Sequence, residues 1–151
     1  MELRVLKNEA DVFFSILPEE WQTVIGPVWK DLEDNAHIYV LRNTWEIMAG
    51  GIVFYAAPPK MTHFEIDKGA PYLALGYYYI GFLYVAPNYR NQSLGSKWLE
   101  AIKNKYPKRS FWLTIEEEGL RSFYEKNGFK CVAKSQDPST PEWMFVYTPD
   151  Q

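Results

Sequence analysis

The run Leu83-Tyr84-Val85-Ala86-Pro87-Asn88-Tyr89-Arg90-Asn91-Gln92-Ser93-Leu94-Gly95-Ser96 decides how the rest of the chain is read. An apolar strand ends at Val85, Ala86-Pro87-Asn88 turns, and a helix starts near Ser93. The first turn of a helix leaves backbone N–H groups without internal partners, and the macrodipole favours an anion beside them. Gly95 has no side chain, so a ligand can approach the backbone closely there. Arg90 adds a positive charge. The run suits a diphosphate; it suits equally an ordinary helix start with Ser93 as its cap.

Working outward, Leu73 to Val85 reads as one long apolar strand. Gly69 to Tyr89 carries no charged residue and is long enough to span a bilayer. Its six tyrosines, its interior glycines and Pro71 and Pro87 point instead to a buried strand. Downstream, Ser93 to Tyr106 forms a helix with Leu94, Trp98, Leu99, Ile102 and Tyr106 inward, and Ser110 to Ile115 a strand. Gly119 to Asn127 is a short helix with Leu120, Phe123 and Tyr124 on one face and Gly128 as its C-cap. Phe129 to Lys134 and Glu142 to Thr148 are the last strands.

Upstream, Glu2 to Lys7 is a strand, and Asn8 caps a helix from Glu9 to Leu17 that Pro18 ends. Trp21, Val24, Ile25, Val28, Trp29 and Leu32 line one helical face that Pro27 breaks. His37 to Arg42 and Glu46 to Tyr55 make a hairpin, with Asn43-Thr44 in its turn. Lys60 to Pro71 reads as irregular, a loop or a short extra element. The pattern gives one mixed sheet with helices on its faces.

Composition fits one globular domain spanning residues 1–151. Hydrophobic residues at 47% and charged residues at 23% exclude disorder and collagen-like or disulfide-scaffold chains. A net charge of −3 gives no sign of the basic face that nucleic-acid binding needs. The single cysteine, Cys131, fits a reducing, cytoplasmic setting, and the N-terminus lacks the order of a signal peptide. The dinucleotide fingerprint, the P-loop and the serine-hydrolase elbow are absent. His37 and His63 do not form a metal-ligand pattern, so no metal is expected.

Val85 to Leu99 resembles the acetyl-CoA motif of the GNAT superfamily of N-acetyltransferases, (Arg/Gln)-x-x-Gly-x-(Gly/Ala). Phe123-Tyr124-Glu125-Lys126-Asn127-Gly128-Phe129 resembles the superfamily's second signature, a helix carrying a Tyr and ending in Gly-Phe. The two stand in the family's order, separated by one helix and one strand. The resemblance implies a single-domain α/β (α+β) fold: a mixed, mostly antiparallel sheet flanked by helices on both faces. It implies transfer of an acetyl group from acetyl-CoA to a primary amine by direct attack in a ternary complex. In the family the pyrophosphate rests on the turn, here Arg90, Asn91, Gln92, Ser93, Leu94, Gly95 and Ser96. The pantetheine arm runs beside the strand at Leu83 and Val85, and Glu117 and Lys126 fall on the cofactor side. Tyr124 would protonate the leaving thiolate; its alternative reading is a core aromatic in line with Leu120.

Three positions depart from the family. Ser93 replaces the first motif glycine. Glu117 stands where many members have Asn. Gly81 stands where the strand often carries a general-base Glu. Tyr79 and Glu116 are then acceptor-side candidates, with Glu46 and Glu117 as further carboxylates. Tyr77, Tyr78, Tyr79 and Phe82 offer rings to an apolar or cationic amine. Ala57 to Pro71 reads as a lid, a contact with a second copy in a homodimer, or a plain loop. Cys131 reads as packing rather than a nucleophile. The acceptor is a small-molecule or peptide amine, with neither nucleic acid nor membrane as partner. The alternatives to an enzyme are a non-catalytic CoA-binding module and an interaction protein.

Overall fold

Most strands of the chain are near-continuous apolar runs, so the sheet they build has two faces to bury. The computed structural model describes residues 2–150. The elements run β1 (Arg4–Leu6), α1 (Ala10–Phe14), α2 (Glu19–Ile25), α3 (Trp29–Leu32), β2 (Ala36–Arg42), β3 (Ile47–Phe54), α4 (His63–Ala74), β4 (Tyr78–Val85), α5 (Leu94–Lys105), β5 (Phe111–Ile115), α6 (Arg121–Lys126), β6 (Lys130–Lys134) and β7 (Trp143–Tyr147). The strands form one sheet in the order β1-β2-β3-β4-β5-β7-β6. The β4–β5 neighbours are parallel and all other neighbours antiparallel.

Helices α5 and α6 cover one face, burying Trp98, Leu99, Ile102 and Tyr124 against Tyr39, Val53, Ile80, Leu113 and Phe145. On the other face Phe13, Ile25 and Trp29, from the first helices, join Ile38, Ile52, Phe54, Tyr79 and Trp112. The middle of β3 is Gly50-Gly51, where added Cβ atoms would lie 2.5 Å from Phe13 and 2.7 Å from Trp98. Both helical layers therefore reach the backbone of β3. No helix among the described residues is long and apolar enough to cross a membrane.

Three differences from the sequence expectation have physical causes. The stretch from Lys60 to Pro71, expected as a loop or a short extra element, holds most of α4, a helix of 12 residues that begins with a complete capping box between Thr62 and Glu65. Pro71 sits inside that helix and removes one backbone donor without ending it. The strand expected from Leu73 starts at Tyr78, because Leu73 and Ala74 still belong to α4 and Gly76, at φ +82°, turns the chain. The first helix is capped at Glu9 rather than Asn8, with no side-chain bond.

Candidate active site

The parallel ladder between β4 and β5 lasts two residue pairs, Tyr78 with Phe111 and Tyr79 with Trp112. Beyond them β4 continues to Val85 and β5 to Ile115 without pairing to each other, so the sheet splits. A bulge in β4 sharpens the split. The register with β3 shifts between Gly50 and Ile52, and Phe82 stands at φ +58°. The N–H of Ala86 donates to Met48 O on β3. By strand alternation the N–H groups of Val85 and Leu83 face the open side.

A cavity of about 550 Å³ opens from this split on the face of α5 and α6. Leu83, Val85, Tyr89, Arg90, Asn91, Ser93, Leu94, Gly95, Ser96, Leu120, Phe123, Tyr124 and Lys126 line it. At one end is the start of α5. Lys97 N donates to Ser93 O, while the N–H groups of Leu94, Gly95 and Ser96 have no protein acceptor among the described residues. Ser93 is the N-cap, yet its side chain makes no capping bond and its φ is +59°. Asn91 also lies in the left-handed region, at φ +66°. The pair bends the turn so that successive N–H groups point outward.

Gly95 has a packing reason beside the ligand one: an added Cβ would lie 2.9 Å from the ring of Phe123. Arg90 does not project into the turn's centre. Its Nε donates to Val85 O at 3.2 Å and its guanidinium to Tyr84 Oη at 3.0 Å. Glu46 is committed to the same turn, since Tyr89 Oη donates to its carboxylate at 2.5 Å.

Tyr124 closes the inner end. It is buried, and its hydroxyl has no hydrogen-bond partner among the described residues. Burial pushes its phenol up, so it keeps its proton throughout the neutral range. Lys126 brings a cation to the mouth, 5.7 Å over the Phe123 ring. Gln92 and Glu117 are exposed and do not line the cavity; Glu117 precedes the short 3-10 turn Glu118–Leu120.

Tyr79 projects to the opposite face. Its hydroxyl donates to Glu65 Oε2 at 3.1 Å, and Thr114 Oγ1 donates to the same oxygen at 2.7 Å. Burial, then the Glu65 carboxylate, holds the Tyr79 phenol well above its ordinary value, and Tyr124 adds a smaller contribution. Glu116 is exposed at the end of β5, near Glu142. Glu65, Thr114 and Glu142 were missed by sequence reasoning. The Thr62-x-x-Glu65 spacing was the available signal for the first. Cys131 is half-buried on β6, away from the cavity lining, with Sγ 3.6 Å from Ala133 O.

Solved structures share this fold. An aminoglycoside 6'-acetyltransferase type Ii superposes with a TM-score of 0.71 at 13% identity over 100% of each chain. An acyl-CoA N-acyltransferase from Pseudomonas aeruginosa gives 0.66 at 13% identity, over 98% of this chain and 100% of that one. A GNAT family acetyltransferase from Elizabethkingia anophelis, solved with acetyl-CoA bound, gives 0.63 at 12% identity, over 97% of this chain and 96% of that one. The sequence itself matches the Acetyltransferase (GNAT) family over residues 4–129, and the chain belongs to that family. No curated protein matches it in sequence.

Proposed function

We propose that the protein moves an acetyl group from acetyl-CoA to a primary amine by direct attack in a ternary complex. One observation carries this reading. Tyr124, a buried residue whose hydroxyl has no partner among the described residues, stands on the wall of a cavity that runs from the split in the sheet to the open N-terminus of α5. The free N–H groups of the Asn91 to Ser96 turn would hold the diphosphate, with the Ser93 hydroxyl beside them. The pantetheine arm would pair with β4 through Leu83 and Val85, whose backbone groups lack a strand partner on that side. The Val85 N–H would polarise the thioester oxygen as it gains charge. Tyr124 would pass its proton to the departing sulfur.

Cys131 does not line the cavity, so no acyl-enzyme is invoked. The shared fold of an aminoglycoside acetyltransferase and of an enzyme holding acetyl-CoA supports the donor and an amine acceptor. The test is release of free thiol from acetyl-CoA with a panel of aminoglycosides, polyamines, arylalkylamines and short peptides, each product checked by mass. Amine-dependent release is expected. Release with none of them, from protein that binds acetyl-CoA, would favour the non-catalytic module.

A further inference from the structure

Across the sheet from Tyr124, two carboxylates are buried without a cation. Glu65 and Glu142 are each 8% exposed. The ion pairs among the described residues are Arg4 with Glu2, Lys68 with Asp67 and Arg121 with Glu118, so neither buried glutamate has one. Buried glutamates are rarely left unpaired, because desolvating the charge is costly. Neutral donors hold Glu65 in place: Thr62 N on Oε1 at 3.0 Å, and Tyr79 Oη and Thr114 Oγ1 on Oε2. Thr62 Oγ1 donates to Glu142 Oε1 at 2.9 Å, and the other oxygen of Glu142 has no protein partner among the described residues. Glu142 feels Glu65 and Glu116 as neighbouring charges.

The location is specific. Tyr79 comes from β4 and Thr114 from β5, one from each side of the split. A row of rings leads from there along β4: Tyr79 to Phe54 at 5.8 Å, Phe54 to Phe82 at 6.3 Å, Phe82 to Trp21 at 5.8 Å and Trp21 to Tyr84 at 5.9 Å. Trp21, on α2, is 36% exposed, so the row reaches solvent. Gly81 leaves room for it, since a Cβ there would lie 2.9 Å from the Tyr79 ring and 3.2 Å from Phe54.

We propose that Glu65, with Glu142 behind it, receives the acceptor's ammonium, and that the ring row selects a primary amine on an aromatic or apolar stem. The proposal rests on the acetyltransferase reading for the direction of approach. The ammonium enters from the face of α2 and α4 and gives one proton to the Glu65 carboxylate, and the neutral amine meets the thioester at the split, opposite Tyr124.

The test titrates the full chain, with and without CoA, using tyramine, its neutral alcohol counterpart tyrosol, and spermidine as a cation without a ring. Tyramine should bind saturably, and tyrosol and spermidine each about tenfold or more weakly, the scale of one charge-assisted bond. Glu65→Gln should weaken tyramine by about the same factor and leave acetyl-CoA affinity unchanged. If that variant does not fold, the tyramine and tyrosol pair on the wild type decides the cation site alone. Equal binding of tyramine and tyrosol, or of neither while acetyl-CoA binds, overturns the cation site. Spermidine binding as tightly as tyramine overturns the aromatic selectivity. Glu65-dependent tyramine binding without acetyl-CoA binding would leave this site standing and remove the acetyltransferase reading.

Discussion

Ser93 holds a left-handed backbone at φ +59° that glycine adopts without cost. Ser93→Gly should raise stability by about 1 kcal/mol, measured by urea unfolding. Tyr124→Phe keeps the ring packed against Phe123 and Phe129 and removes only the hydroxyl. Turnover should fall by about a hundredfold or more while acetyl-CoA affinity stays the same. Unchanged turnover would remove Tyr124 from the proton transfer. Gly95→Leu should push Phe123 aside, lower the melting temperature and weaken acetyl-CoA binding by about tenfold or more, read by calorimetry. At this scale the sequence was informative where local geometry decides. Gly95 and Ser93 stand at a helix start that the strand-turn-helix pattern announces. The contact between Gly95 and Phe123 joins two helices, and no local pattern contains it.

Among the elements, α4 read as no more than a loop or a short element because Gly69 and Pro71 argue against a helix, while only the Thr62 and Glu65 spacing argues for one. Gly69 is there for a tertiary reason: an added Cβ would lie 2.5 Å from the Trp112 ring. Thr62 caps α4 and bonds Glu142 as well. Thr62→Ala should therefore cost about 1 kcal/mol or more in denaturant unfolding. A loss near zero would mean that α4 does not depend on its cap. The β4 bulge was hidden, because Phe82 is a bulky residue in a conformation that bulky residues seldom adopt. The strands around it, by contrast, were plain in the sequence from their apolar runs.

In the whole molecule, the split between β4 and β5 follows from topology. The parallel pair is joined through α5, and β5 then pairs with β7 on its far side, so β5 is held there while β4 follows β3. The element order suggested such a sheet; where it opens depends on register, which a single sequence leaves unstated. Glu142 makes stability depend on pH. Burial, then Glu65 and Glu116, holds the Glu142 carboxyl above its ordinary range. The folded protein thus binds that proton more tightly than the unfolded chain, and the stability this gives is lost as pH rises through the raised value. Glu142→Gln should melt above the wild type near pH 7, with the gap closing toward about pH 4. A gap independent of pH would place the effect in packing rather than charge.

The central claim is that the turn and the split sheet hold acetyl-CoA. Calorimetric titration of the purified protein with acetyl-CoA, against dephospho-CoA and NAD, tests it most directly. Saturable one-to-one binding of acetyl-CoA with no heat from NAD is the predicted result. No binding of acetyl-CoA would contradict the account and mean that Ser93 and its turn do not form a working cofactor site.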